Sequence, residues 1–216
     1  MPNARQKPTL AEEKALRADG FSLIAGVDEV GRGALMGPVV AAAVIMPDKI
    51  KSRWKTRVRD SKQLTPKERE YLNPCICESA IAFGIGLITS DIIDRVGIGR
   101  ATCMAMIDAV QRLNPQPQFV LIDYVRLHEL MLPQKGVTDG DSLCFSIACA
   151  SIIAKVYRDH MVTEMDREYP GYGFAVHKGY GTKAHLACLR EKGPCPLHRR
   201  SFRPVRDTIN KITAEL

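Results

Sequence analysis

The chain has 216 residues, 45% of them hydrophobic and 25% charged. That is ordinary globular composition, and the length suffices for one well-buried domain. With 31 Lys and Arg against 24 Asp and Glu, the formal net charge is +7, a field that attracts polyanions. No apolar run is long enough to span a bilayer. The N-terminal stretch is charged (Arg5, Lys7, Glu12, Glu13, Lys14) and lacks the apolar core of a secretory signal. The expectation is a cytoplasmic protein that does not engage a membrane. The seven cysteines are odd in number and have no framework spacing. Cys75 and Cys77 are one residue apart, and Cys195-Pro196-Leu197-His198 has no second ligand pair nearby, so the reading is reduced thiols and no structural zinc.

In chain order, residues 1–20 are polar, with Leu10, Ala15 and Leu16 as contacts for a short leading helix. Phe21–Asp28 reads as a strand. Val39–Ile45 reads as a second, almost wholly apolar and therefore buried on both faces. The short segment between them suggests a hairpin. Residues 48–66 are basic and loop-like. Thr65-Pro66-Lys67-Glu68 is a helix start, with a Thr cap, Pro at the first position and Glu at the third. Ala80–Thr89 reads as a third strand, and Ile98–Leu113 as a helix stopped by Asn114-Pro115. Phe119–Asp123 is a fourth strand ending in a carboxylate. Asp141-Ser142 opens a long helix whose Leu143, Ile147, Ala150, Ala154, Tyr157 and Met161 form one continuous face. Tyr169-Pro170-Gly171 ends it. Thr182–Lys192 is a further amphipathic helix, stopped by Gly193-Pro194. There is no internal repeat, and the order of elements suggests a mixed sheet covered by helices.

The segment richest in chemistry is Val27-Asp28-Glu29-Val30-Gly31-Arg32-Gly33. Two carboxylates close an apolar run, and a loop with almost no side-chain bulk follows around one guanidinium. Carboxylates at a strand end suit a hard divalent cation, glycines admit a close-approaching ligand, and Arg32 offers a planar donor fork to phosphate. An ordinary solvated turn would have the same composition, so the rest of the chain decides. Asp123 ends an apolar strand and Asp141 stands at a helix entry. Acids at the ends of neighbouring strands converge on one rim of a sheet, where they repel unless divalent cations relieve them. Phosphodiester hydrolysis by a two-metal mechanism suits such a set. Neighbouring side chains of a regular strand point to opposite faces, so Asp28 and Glu29 share a site only if the strand stops or kinks there. Two basic runs favour a phosphate backbone as partner: Lys49, Lys51, Arg53, Lys55, Arg57, Arg59 and Lys62, and then His198, Arg199, Arg200, Arg203 and Arg206.

These residues also carry a resemblance. Ala25-Gly26-Val27-Asp28-Glu29-Val30-Gly31-Arg32-Gly33, Gly37–Val44, Asp60-Ser61-Lys62-Gln63-Leu64, Ala148–Asp159, Tyr169–Phe174, His177–Thr182 and His198–Phe202 occur in the order found in the bacterial ribonuclease HII family, and together they span most of residues 21–205. The resemblance implies an α/β, ribonuclease H-like mixed β-sheet flanked by helices, with a helical C-terminal extension. It implies one catalytic domain over 1–216, with a core of about 21–165 and a substrate-binding portion of about 166–216. It implies a monomeric endonuclease using Mg²⁺ or Mn²⁺. This enzyme would cut the RNA strand of RNA–DNA hybrids and incise DNA 5′ to single embedded ribonucleotides, leaving a 5′-phosphomonoester, as in ribonucleotide excision repair. The family's metal-binding acids fall on Asp28, Glu29, Asp123 and Asp141. Its loop that reads the 2′-hydroxyl falls on Gly31, Arg32 and Gly33, and its substrate-sensing tyrosine on Tyr180. Lys62 is a candidate phosphate contact, whereas Lys155 and Arg158 are each consistent with a solvated helix face. Two positions depart from the family pattern. Tyr124 follows the third acid where glycine is usual, and Asp139 stands two before the fourth acid where lysine is common. A bulky Tyr124 is expected to narrow the site or tilt Asp123.

The competing readings are a junction resolvase or other nuclease of the same broad fold, and a non-catalytic nucleic-acid-binding module. A resolvase shares the acids but has no use for Gly31-Arg32-Gly33 or Tyr180. A binding module needs only the basic runs, and its acids would repel phosphate. The glycines lack a following Lys-Ser/Thr, so they are not a Walker-type loop. No clamp-binding peptide is evident in Asp207–Leu216.

Overall fold

The computed structural model describes residues 7–214; Arg5 and the last two residues of the 207–216 segment lie outside them. The elements in chain order are α1 (Ala11–Ala18), β1 (Ile24–Val30), β2 (Val39–Ile45), α2 (Pro66–Ser79), β3 (Ala82–Ile88), α3 (Ser90–Val96), α4 (Ile98–Gln111), β4 (Phe119–Asp123), β5 (Gln134–Val137), α5 (Gly140–Leu143), α6 (Phe145–Glu168), α7 (Phe174–His177), α8 (Lys183–Lys192) and α9 (Arg203–Ala214). They fall into two compact units. The first comprises the described residues of Met1–Val30, Val40–Leu87 and Cys103–Val156, and the second Gly31–Val39, Ile88–Thr102 and those of Tyr157–Leu216.

The first unit holds a five-stranded sheet in the order β3-β2-β1-β4-β5. β1 pairs antiparallel with β2 and parallel with β4, and β4 pairs parallel with β5, so the sheet is mixed. β2 is buried at every position, as its unbroken apolar sequence requires. Leu72 and Ile76 of α2 and the apolar run Ala148–Val156 of α6 pack with Ala42 and Val44 of β2. Leu16 of α1, Ile24, Leu121, Val137 and Ile147 form a second cluster. Each such Leu or Ile contributes about 1.5–3 kcal/mol by leaving water. Gly26 lets α6 approach β1 closely, since a Cβ there would stand 2.3 Å from the Ser146 carbonyl carbon.

Several boundaries differ from the sequence expectation, each for a local reason. β1 begins at Ile24 because the Gln118 side-chain oxygen takes the Ser22 and Leu23 N–H groups, at 2.7 and 3.1 Å. The long helix does not open at Asp141. Cys144 is extended, and the chain at Thr9 holds it there: Thr9 N–H donates to the Leu143 carbonyl and Phe145 N–H to the Thr9 carbonyl, both at 2.9 Å. Asp141 therefore belongs to the four-residue α5, and α6 starts afresh at Phe145. The buried Glu13 caps that new start, accepting from Ser146 N–H at 2.9 Å and Ser146 Oγ at 2.7 Å. The basic stretch 48–66 contains two short 3₁₀ turns, Arg53–Arg57 and Ser61–Gln63. The Thr65–Glu68 capping box forms as expected, with bonds in both directions.

In the second unit, Met36, Val162, Phe174 and Cys195 form one apolar cluster. Leu35, Leu189 and Val205 form another, joining α8 to α9. Among the described residues no helix is long and apolar enough to cross a membrane.

Candidate active site

β1, β4 and α5 bring three of the anticipated carboxylates into one another's field. Asp28 is 4% exposed, paired in register with Ala42. Burial, then the charge of Glu29, and behind it Asp123 and Asp141, push its carboxyl well above the usual range, against a hydrogen bond from Ser151. Burial and Asp141 raise Asp123 as well, although Gly140 N–H donates to its Oδ1 at 2.7 Å. Asp141 is buried, whereas Asp139 is exposed and adopts a left-handed backbone with φ 53° at the cap of α5. Of those two acids, Asp141 is the one beside the other carboxylates.

Glu29 occupies the next position of β1. The strand neither stops nor kinks at the pair, since Glu29 and Val30 remain in register with Ala41 and Val40. The two side chains thus leave opposite faces of a regular strand, although the Glu29 charge still reaches Asp28.

Lys62 projects its ammonium onto this group. Its Nζ lies 2.9 Å from Asp141 Oδ2 and 3.8 Å from Asp60 Oδ1. Burial disfavours its charge, but Asp141, Asp60 and Asp28 outweigh that and hold it protonated. Asp60 is a fifth acid that the sequence reasoning missed. It caps the 3₁₀ turn by accepting from Lys62 N–H at 3.0 Å, and burial and Asp141 raise its carboxyl. The signal was present in Asp60-Ser61-Lys62, where a turn-capping acid precedes the lysine. Ser61 Oγ meets Ser151 Oγ at 2.8 Å, and both are buried.

Among the described residues no three His, Cys, Asp or Glu side chains are gathered closely enough to cage a cation as they stand. The chemistry of the donors nevertheless fits one. All are carboxylate oxygens, suited to a hard divalent ion. The set carries more negative charge than one ammonium neutralises, and this repulsion adds to burial in raising Asp28 and Asp123.

Tyr124 takes a left-handed conformation, φ 63°, and its side chain is 70% exposed. Its N–H donates to the Val137 carbonyl at 2.9 Å. The ring stands mostly in solvent, and the departure from glycine places a side chain on a left-handed backbone.

Gly31, Arg32, Gly33 and Tyr180 belong to the second unit. Leu35 N–H donates to the Gly179 carbonyl at 2.8 Å, and Ala34 bridges to Tyr180. The Tyr180 ring is half-buried, with the Arg158 guanidinium carbon 5.6 Å from its centre. Arg158 is wholly buried, which corrects its reading as a solvated-face residue.

A ribonuclease HII family model matches residues 25–205. Over 212 residues the chain is 54% identical to a ribonuclease HII of Dehalococcoides mccartyi, covering 98% of this chain and all of that one. It is 49% identical to a ribonuclease HII of Geobacter metallireducens, covering 91% of each. Among solved structures, ribonuclease H2 of Pyrococcus horikoshii superposes with a TM-score of 0.72 at 25% identity, covering 88% of this chain and 99% of that one.

Proposed function

The chain belongs to the ribonuclease HII family, and from that premise we propose how its residues divide the work. The enzyme is a ribonuclease H, a hydrolase that cuts RNA–DNA hybrids endonucleolytically. Its finer activity is incision of DNA on the 5′ side of a single embedded ribonucleotide, leaving a 5′-phosphate. Asp28, Asp123 and Asp141 hold Mg²⁺ or Mn²⁺; Glu29 starts from the other face of β1, and its carboxylate joins them around the strand end at Val30, where its charge already acts on Asp28. Two such ions held there would supply an activated water and neutralise the leaving oxygen. The observation that carries this reading is the buried Asp28 carboxyl, held in the fields of Glu29, Asp123 and Asp141. A fold has no use for such repulsion, and a divalent cation relieves it.

Lys62 holds Asp141 by its ammonium, and with a cation bound to that carboxylate it would be free to meet the substrate phosphate. The 2′-hydroxyl alone separates RNA from DNA at one nucleotide, and Gly31, Arg32, Gly33 and Tyr180 read it. The protein works as a single-domain monomer in the cytoplasm. The test is cleavage of a labelled RNA–DNA hybrid with Mg²⁺, with Mn²⁺ and with chelator. Metal-dependent internal cuts in the RNA strand are expected. Cleavage that persists in chelator refutes the metal reading.

A further inference from the structure

Two guanidiniums, Arg158 and Arg199, are fully buried in the second unit. The hydrogen bonds described for them go to main-chain carbonyls. Arg158 donates to Pro38 at 3.0 Å, Lys178 at 3.0 Å and Met36 at 3.2 Å. Arg199 donates to Gly37 and Arg32, both at 3.0 Å, and its second terminal nitrogen is buried without a partner among the described residues. Burial pulls both groups below the usual arginine range, and Arg158 adds repulsion to Arg199. Burial outweighs the acidic charges that reach them, Asp159 for Arg158 and Asp94 for Arg199, and an apolar side chain of similar volume often stabilises a fold better than a buried charge. Stability alone therefore does not account for this pair.

What the pair does is draw five carbonyls inward. In a planar trans peptide the N–H points opposite to the C=O. Drawing in the Arg32 carbonyl turns the N–H of Gly33 outward, and Gly33 is exposed. The two glycines flanking Arg32 differ in what surrounds them. At Gly31, with φ +86°, an added Cβ would stand 2.1 Å from Arg158 Nε, so this glycine serves the protein's own packing. At Gly33 an added Cβ would meet no heavy atom within 4 Å. Nothing in this unit requires Gly33 to lack a side chain.

We propose that Arg199 is a positioning residue for ribose recognition: it fixes the Arg32–Gly33 peptide so that the Gly33 N–H faces the substrate sugar, and Gly33 is bare to let that sugar approach. This rests on the reading that the Gly31–Gly33 loop meets the ribose. The experiment compares binding, by fluorescence anisotropy in EDTA, of a DNA duplex with one ribonucleotide and of the same duplex all in DNA. It uses the full chain, Gly33→Ala and Arg199→Lys, with melting curves of each. Gly33→Ala is expected to melt with the wild type and to lose about fivefold to tenfold of its preference for the ribonucleotide, the span of one net hydrogen bond. Arg199→Lys is expected to lose the same preference, because an ammonium lacks the planar fork that spans two carbonyls, while all-DNA affinity holds.

If Gly33→Ala keeps its preference, the loop reading itself is overturned. If Gly33→Ala loses it and Arg199→Lys keeps it, the loop reading stands and the positioning role falls. Equal weakening of both duplexes by Arg199→Lys, with a lowered melting point, means a structural role only and also overturns the proposal. Should Arg199→Lys fail to fold, hydrogen exchange at Gly33 in the wild type decides. Fast exchange in the free protein, slowed by the ribonucleotide duplex and not by all-DNA, is expected. Slow exchange in the free protein puts this N–H inward and overturns the inference.

Discussion

Acidification should cost the second unit stability through His198. This ring is 1% exposed and is hydrogen-bonded to the imidazole of His185. His185 Nδ1 lies 3.0 Å from the Tyr180 carbonyl and must donate to it. His185 Nε2 is then an acceptor, facing His198 Nε2 at 3.1 Å. That leaves His198 Nδ1 to accept from Cys195 N–H at 3.0 Å. His177 stacks on His185 with ring centres 4.2 Å apart, and Phe174 and Tyr172 close the cluster. A second proton on His198 would set N–H against N–H. Burial, and then His185, depress its pKa from 6.5 to about 4. Between those values the unfolded chain binds the proton and the folded chain refuses it. Stability therefore rises with pH through this window and is fully present above about pH 6.5. Going from pH 7 to pH 4 removes about 3 kcal/mol through His198, and His185, also depressed by burial, adds in the same direction. Urea denaturation at pH 7, 6, 5 and 4 measures this for the wild type and for His198→Gln, which keeps a donor and an acceptor but does not titrate. The variant should start less stable at pH 7 and lose about 3 kcal/mol less by pH 4. Parallel losses in the two proteins would refute the reasoning.

Asp28→Asn removes a charge opposed by burial and by three carboxylates. It should melt at or above the wild type while cleavage falls at least about a hundredfold, and near wild-type turnover would remove Asp28 from the metal reading. Mg²⁺ should raise the melting temperature of the wild type by mass action, and chelator should reverse this; a melting point indifferent to Mg²⁺ contradicts the carboxylate site. Lys62→Met frees Asp141 from its ammonium partner and should lower the Mg²⁺ midpoint of cleavage by up to about fivefold, the worth of an exposed ion pair. An unchanged midpoint means the lysine does not compete with the cation. Tyr124→Gly relieves a left-handed residue whose ring is mostly in solvent and should add about 0.5–1 kcal/mol in denaturant titrations; a loss would mean the ring carries packing of its own.

The elements with strong local signals were legible. The β2 run, the Thr65–Glu68 box and the strand ending at Asp123 were read close to where they form; the Asp28-Glu29 pair and Asp123 stood out because they close apolar runs, and Asp141 because it stands at a helix entry. What escaped depends on distant partners. β5 has one buried residue, Val137, and exists because β4 offers it a ladder. The break before α6 is imposed by Thr9, some 135 residues away in sequence, and its cap by Glu13. Nothing local marks either. α9 passed unread although Val205, Thr208, Ile209 and Ile212 recur at helical spacing, because Arg203 and Arg206 were read as the end of a basic run. Arg158 carried the signature of a surface residue; only the fold surrounds it with carbonyls. Asp60 was quoted as part of a motif, and its place beside Asp141 emerged only from the tertiary structure.

The central claim is incision at a lone ribonucleotide by a carboxylate-held metal site. Its most direct test is product mapping on an end-labelled DNA duplex carrying one ribonucleotide, with Mg²⁺ or Mn²⁺, with chelator, and beside the all-DNA duplex. The account predicts a single metal-dependent cut on the 5′ side of the ribonucleotide and an intact all-DNA control. Cutting of the all-DNA duplex, or an intact ribonucleotide duplex under conditions where a long hybrid is cleaved, would contradict it.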